Sequence, residues 1–419
     1  MAEPVLFAAE WVLPITAAPV RDGVVAVEGT RIAWVGPRRE LPSRFLKARL
    51  RTFPRSLILP GWVNAHCHLN LTGALGLIPG TADRFADWVR RVIRFRESLP
   101  PALVRQSLVA GMDLLAHSGT TTVAHVDMLP ELEPFLAHPM RSIVFHEAIG
   151  FPAARAEGLL RQAGEWLDQG EEAIRAAGTG RVTLGLAPHA PYTASAPLMQ
   201  GLAALARERR VPLSVHLSET RAELELLRSG AGQLRELLEE RNAWDPDWTP
   251  PGVSPVRYLA DLGVLEARGL AVHCNYLTDE DLSLLRGGGL RPTWCPGSFQ
   301  FFGHRDHPAG RLVRAGVPLA LGTDSLASNA GLTMLREVRL AAEAHPELPR
   351  ETWLHAATLG AAEGLGLGAV TGSLEPGKAA DIQVLQGVPD ETTDPLSPLF
   401  RETLRVRSVL VDGAEMKFR

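Results

Sequence analysis

The chain has 419 residues, 46% hydrophobic and 21% charged, with a formal net charge of -4. That is the balance of a soluble globular protein, too long for one average domain. No Lys/Arg run or basic stripe points to nucleic acid or an anionic membrane, and no uninterrupted apolar stretch is long enough to span a bilayer. The opening MAEPVLFAAEWVLP lacks a basic segment followed by an apolar core. The scattered Cys67, Cys274 and Cys295 form no disulfide framework, so a cytoplasmic protein is expected.

Residues 1–56 read as short strands, with a hairpin turn at Glu28-Gly29 inside VVAVEGTRIAWVG. From about residue 370 the pattern returns: DIQVL and VRSVLVDGAEMKF are strand-like, with a turn at Asp412-Gly413. One small β-sandwich domain built from both chain ends, residues 1–56 plus 370–419, is expected. Between them, residues 57–369 alternate. Apolar runs at 57–63, 120–126, 142–147, 182–187, 211–216, 269–274, 290–295 and 317–322 are separated by helical stretches such as 85–99, 103–117, 196–210, 222–240 and 332–344. Alternation repeated to that extent, in runs apolar nearly throughout, predicts an α/β fold: a (β/α)8 TIM-type barrel.

Chemistry in such a barrel sits at the C-terminal ends of the strands. His66 and His68 follow the first run, and residues two apart in an extended segment point the same way. His216 ends the fifth run, His273 the sixth, and Asp324 follows the eighth. A lone buried histidine is more often a hydrogen-bonded core residue than a ligand. The joint placement at one barrel face predicts that His66, His68, His216 and Asp324 hold one divalent metal, zinc or iron, with a position left open for water. Cys67 and Cys274 neighbour these residues and should point to the opposite face, as packing groups.

PGWVNAHCHLNLTG, HLSETRAE, VHCNYLTDEDL, ALGTDSLASNAGL and the closing GSLEPGKAADIQVL resemble the signature segments of the amidohydrolase superfamily over nearly the whole chain. Within it they resemble the mononuclear deaminase branch. Binuclear members typically use a carbamylated lysine on strand four. The only lysines here are Lys47, Lys378 and Lys417, none in the central region, and VTLGLAPHAP offers no bridging carboxylate.

The resemblance implies a mechanism. Asp324 binds the metal and accepts a proton from its water, Glu219 protonates a ring nitrogen of the substrate, and His273 orients the attacking water, so that ammonia leaves. It also implies that His189 faces the substrate, and that Ser325, Ser328 and Asn329 hold the ligand loop. In adenosine-type deaminases the region of Trp88 and Glu97 closes over the substrate, with an acidic residue near the ribose; helix packing is the plainer reading of Trp88. The loop 295–308 carries His304 and His307, which read as pocket-shaping groups or, less simply, as a second metal site.

The stretch NAHCHLNLTGALGLIPGTADRFADWV and the FFGH loop resemble aminodeoxyfutalosine deaminases most. The expected activity is hydrolytic deamination of an adenine nucleoside-like compound, with aminodeoxyfutalosine, of menaquinone synthesis, leading. Guanine, S-adenosylhomocysteine or methylthioadenosine, and triazine amino- or chloro-compounds are the alternatives. A non-catalytic scaffold is the rival of another class, and amide hydrolysis a third. The expected partner is a small-molecule substrate, and the resemblance implies a homodimer, the common assembly of the family.

Overall fold

The structure, a computed structural model, describes residues 3–80, 84–389, 392–401 and 403–416. Its strands fall into two sheets. β1 (Val5–Val12), β2 (Val20–Glu28), β3 (Arg31–Pro37) and β4 (Arg49–Pro60) come from the N-terminal part. β5 (Trp62–Cys67), β6 (Thr120–Asp127), β7 (Arg141–Ala148), β8 (Val182–Pro188), β9 (Leu213–Leu217), β10 (Gly269–His273), β11 (Leu290–Trp294) and β12 (Ala320–Leu321) come from the centre. β13 (Ile382–Gln386), β14 (Arg405–Val411) and β15 (Ala414–Glu415) close the chain.

The central strands pair in chain order, all in parallel, as an 8-stranded sheet. β6 and β7 are buried at every residue, as expected of strands covered on both faces. Closure falls to β12 against β5. The Thr323 and Asp324 amides donate to the His66 carbonyl at 3.2 and 3.0 Å. The Asn64 side chain donates to Thr323 Oγ1 at 2.8 Å and accepts from the Thr323 amide at 3.1 Å. A side-chain amide thus replaces part of the β-ladder, which is why the eighth strand is so short. Gly322 is required there by contact: a Cβ would lie 2.9 Å from His66 backbone and Cβ atoms.

The strands from the two ends form one continuous 7-stranded mixed sheet, in the order β15-β14-β13-β4-β1-β2-β3. The union of the termini follows from β13 pairing antiparallel to β4, with Ile382 opposite Pro60. One face carries Phe7, Val25, Ile58, Ile382 and Leu410 in a single cluster. The expected run 57–63 is divided. Its first part ends β4 in this sheet, and Trp62 starts the barrel, with the Gly61 amide bonded to the Asp381 carbonyl at 3.0 Å. Buried Arg141 ties the two sheets: from β7 it reaches Asp381 at 3.0 Å and Asp412 at 2.8 Å.

Both expected hairpins form, between β2 and β3 and between β14 and β15. The last residues of the VRSVLVDGAEMKF segment lie outside the described residues. The expected helix at 222–240 is two helices, Arg221–Ser229 and Gln233–Glu240. Gly230, at φ 69°, takes the left-handed conformation that ends the first helix, and Gly232, at φ 96°, precedes the second. Among the described residues no helix is long and apolar enough to cross a membrane.

Candidate metal centre

The strand ends converge. His66 lies on β5, and His68 is the residue that follows this strand. His66 has its ring centroid 4.8 Å from His68, 4.9 Å from His216 and 5.8 Å from His273. Asp324 Oδ1 stands 3.8 Å from Nε2 of both His66 and His68. The donor atoms of His66, His216 and His273 lie within 4.8 Å of one another, as do those of His66, His68 and Asp324. The four expected ligands and His273 therefore share one buried pocket at the barrel mouth.

Hydrogen bonds fix how the rings point. His68 Nδ1 bonds the Val126 carbonyl at 2.9 Å, and His216 Nδ1 bonds the His189 carbonyl at 2.9 Å. Each ring spends its Nδ1–H on a carbonyl and turns Nε2 inward with its lone pair free. Backbone acceptors commonly orient metal-binding histidines in this way. Both nitrogens of fully buried His66 lack a partner. Burial, helped by the neighbouring imidazoles, holds the His66 pKa well below its usual value, so the ring is neutral. Burial likewise lowers His216. Imidazoles gathered around a carboxylate, with the His66 ring unpartnered, fit a divalent cation: the donors match zinc chemistry, and the ion would satisfy otherwise stranded lone pairs.

Asp324 is held in place from several sides. Oδ2 accepts from Ser298 Oγ at 2.7 Å and Ser328 Oγ at 2.9 Å, and Oδ1 accepts from the Ser325 amide at 2.8 Å. Burial acts to raise its pKa. The adjacent His273 and His68, with the Ser298 hydroxyl, outweigh it, and the carboxyl stays below the usual range. Asn329, also expected in this loop, bonds the Thr323 carbonyl at 2.7 Å and Glu337 at 3.0 Å. Ser218, His273, Cys274 and Asp324 all have φ between 51° and 74°. Non-glycine residues adopt this left-handed conformation at a cost, and its concentration at strand ends is typical of functional sites.

Glu219 approaches from the loop after β9, its Oε1 3.7 Å from His273 Nε2. Burial first, then the negative charge of Asp324 and Glu223, pushes its pKa well above the carboxylate range. The carboxyl therefore holds its proton more tightly than an ordinary carboxylic acid does. Glu223 holds this loop, accepting from the Ser218 and Glu219 amides at 3.0 and 2.8 Å. Burial brings His273 down to about 4, so its ring is neutral.

His189 joins the group, its ring 4.8 Å from that of His216 and its pKa lowered to about 3 by burial. His304 lies farther out. It bonds Tyr276 Oη at 2.8 Å and lines a cavity of about 440 Å³ with Phe85, Thr220, Arg221 and Phe302. Trp88 stands 4.9 Å from Phe302 and donates from Nε1 to the Ala327 carbonyl at 3.1 Å, so it is a packed part of the aromatic wall. His307 packs flat on Trp294 at 4.2 Å, and its nitrogens bond the His273 carbonyl and the Ala309 amide. Its ring nitrogens are thus spent on backbone.

Glu97 is not brought to the histidines. It pairs with Arg241 at 3.0 Å at the surface, each side chain more than half exposed (57% and 52%). Neighbouring residues on a helix differ by about 100° in direction, and Arg96 takes the inward one, reaching buried Asp127 at 2.8 Å. Two carboxylates absent from the sequence reading complete the polar surround: Asp127 at the end of β6, and Glu147 on β7, 4.0 Å from His189 Nε2. The signal was in the chain, since Glu147 closes the third apolar run. Cys67, Cys274 and Cys295 are all buried, and burial raises their thiol pKa values.

Comparison with known proteins gives the same picture. Residues 57–416 match the amidohydrolase family. The 5-methylthioadenosine/S-adenosylhomocysteine deaminase of Desulforudis audaxviator is 32% identical over 89% of this chain and 82% of its own. Deaminase 1 of the same name from Syntrophus aciditrophicus is 30% identical over 96% of this chain and 86% of its own. Among solved structures, an adenosine deaminase from Xanthomonas campestris with bound zinc superposes with a TM-score of 0.83 at 29% identity, covering 98% of this chain and 92% of that one. The Helicobacter pylori aminofutalosine deaminase in complex with methylthio-coformycin shares the fold, with a TM-score of 0.85 at 20% identity over 98% of this chain and 100% of that one.

Proposed function

Since the chain belongs to the amidohydrolase family and is a hydrolase of carbon–nitrogen bonds, we propose that it is a metal-dependent deaminase of adenine nucleosides substituted on the sugar. The observation that carries this reading is the convergence of His66, His68, His216 and Asp324 at the barrel mouth, with the buried carboxyl of Glu219 3.7 Å from His273 beside them. His66, His68, His216 and Asp324 would hold the ion, and such an ion would supply Lewis acidity that makes a water acidic enough to ionise near neutral pH.

The remaining chemistry belongs to the side chains. Protonated Glu219 delivers its proton to a ring nitrogen, which makes the amine-bearing carbon electrophilic. His273, neutral and 3.7 Å from Glu219, hydrogen-bonds the attacking water and orients it. Asp324 takes the water proton and passes it to the departing amine, which leaves as ammonia, while the remaining proton of the attacking water returns to Glu219. A positioned acid of this kind contributes about 10²- to 10⁴-fold. His189, its Nδ1 bonded to Thr193 Oγ1 at 2.6 Å, presents Nε2 to the substrate. Trp88, Phe85 and Phe302 form an apolar wall for a planar ring, with His304 at its outer edge.

The HCHLNLTG and FFGH segments favour aminodeoxyfutalosine as the physiological substrate. The relatives named for methylthioadenosine and S-adenosylhomocysteine, with their coverage of the whole barrel, favour those two instead. Zinc is the metal expected from the donor set, in a homodimeric cytoplasmic enzyme. The test is ammonia release from aminodeoxyfutalosine, methylthioadenosine, S-adenosylhomocysteine, adenosine, guanine and triazines, with metal content measured. Turnover of adenine nucleosides, lost on chelation and restored by zinc, is the expected result. Metal-replete protein that deaminates only guanine or a triazine would overturn the nucleoside reading.

A further inference from the structure

The cavity beside the metal centre carries positive charge that the deamination does not use. It holds about 440 Å³, and Arg221 and Arg305 both line it. Both are exposed, and among the described residues neither forms an ion pair. On the helix that supplies Phe85 to the same wall, by contrast, Arg90 is spent on Glu240 and Arg96 on Asp127. Asp306 is the one carboxylate in the lining, against two guanidiniums, and it pairs with neither. Arg221 also opens the helix Arg221–Ser229. A cation at that end opposes the helix dipole, whereas an anion is favoured there. His304 adds no charge: burial, then the neighbouring Arg221, brings its pKa down to about 4. Its Nδ1 bonds Tyr276 Oη at 2.8 Å, and its Nε2 has no partner.

The cavity adjoins the reacting end of the site. Thr220, in its lining, directly follows Glu219. Arg221 is two residues beyond Glu219, so their Cα atoms are at most about 7 Å apart. A run of rings leads the same way from the metal ligands. His216 lies 4.8 Å from His189, His189 5.7 Å from Tyr192, and Tyr192 6.4 Å from Phe85, which lines the cavity with Phe302. A planar ring brought to Glu219 thus has apolar surface beside it and guanidiniums beyond. Planar guanidinium forks match carboxylate and phosphate oxygens.

We infer that this cavity is a subsite for an anionic group carried on the sugar side of the substrate, with Arg221 and Arg305 as the residues that select it. The inference rests on the nucleoside reading above and deepens it. It separates the candidate substrates by charge: a thioether nucleoside ending in an anion is taken in preference to a neutral one of the same shape.

The experiment changes charge on both sides of the contact. The substrates are 5′-S-(2-carboxyethyl)-5′-thioadenosine and its neutral carboxamide, with AMP and adenosine as the phosphate pair. The enzymes are the wild type, Arg221→Met, Arg305→Met, the double variant and Arg221→Lys, with zinc content and thermal midpoint recorded. The wild type should favour at least one anion over its neutral partner by about fivefold or more in kcat/KM, the upper end for an exposed ion pair with fork geometry. Which pair shows it tells carboxylate from phosphate. Added salt should shrink the preference. Each methionine variant should reduce the ratio, and the double variant should bring it close to one. Arg221→Lys, which keeps the charge without the fork, should retain part of it.

A wild-type ratio within about twofold of one for both pairs, on nucleosides that are turned over, overturns the subsite while the nucleoside reading stands. A preference that survives in the double variant overturns the assignment to these arginines. So does a preference lost only in step with zinc or thermal midpoint, which would make the arginines supports of the fold. A wild type that deaminates free bases and no nucleoside overturns both readings together.

Discussion

Removing the hydroxyls that hold Asp324 should weaken the metal before it weakens the fold. Ser298 and Ser328 each donate to Asp324 Oδ2, at 2.7 and 2.9 Å, and all three residues are buried. A hydrogen bond to a charged group contributes about 1.5–3 kcal/mol. If Ser298→Ala removes that amount from the bound state alone, metal affinity falls about 10- to 150-fold, since about 1.4 kcal/mol is a factor of ten. Loss of an outer hydrogen bond to a ligand typically costs about 10- to 100-fold in affinity, which agrees. Ser328→Ala should fall in the same range. The double variant should lose more than either, though less than the product, because the Ser325 amide at 2.8 Å still holds Oδ1. The assay is transfer of zinc to a chromophoric chelator at fixed pH, read beside far-ultraviolet circular dichroism. Affinity within threefold of wild type for both single variants would refute the idea that these hydroxyls orient the ligand.

Glu219→Gln should keep its zinc and lose about 10²- to 10⁴-fold in kcat; zinc lost along with activity would make Glu219 a ligand rather than the acid. The pH profile follows from the sign of its shift. Burial raises Glu219 above the carboxylate range, so its active protonated form persists to higher pH than that of an ordinary carboxyl and is lost as pH rises through the raised value. A kcat/KM that stays flat far into alkali would remove Glu219 from the acid role. Glu97→Gln should change kcat/KM less than twofold, since an exposed ion pair of this kind is worth about 0.2–1 kcal/mol and touches no ligand. A tenfold rise in KM would put Glu97 back at the substrate.

The barrel was legible because its signal is repeated: the strands are short apolar runs, and helical stretches lie between most of them. The ligands were legible because a parallel barrel gathers strand ends at one face. His66, His216, His273 and Asp324 could thus be grouped without knowing a single distance. Boundaries between sheets were not legible in the same way. Nothing in LILPGWV says that Pro60 belongs to one sheet and Trp62 to the other. That division is set by Gln383 and Asp381 arriving from over 300 residues away, through bonds to the Pro60 carbonyl and the Gly61 amide.

Glu97 and Glu147 show where a reading of the linear chain stops. Glu97 is placed near the substrate by the resemblance to adenosine-type deaminases, but one residue of helical rotation decides whether the site receives Arg96 or Glu97. Arg96 prevails because buried Asp127 needs a cation, and Glu97 finds Arg241 in solvent. Glu147 ends a strand and obeys the same rule that found the histidines, yet histidine pairs draw attention as ligands and an isolated glutamate does not. Its meaning depends on what surrounds it. The His216 nitrogen 3.9 Å from it is already committed to the His189 carbonyl, so Oε1 of Glu147 has no hydrogen-bond partner. Ligand residues are set by donor type and strand position, which a sequence displays. Substrate-facing residues are set by which partners are already taken, and that is known only once the neighbouring hydrogen bonds are counted.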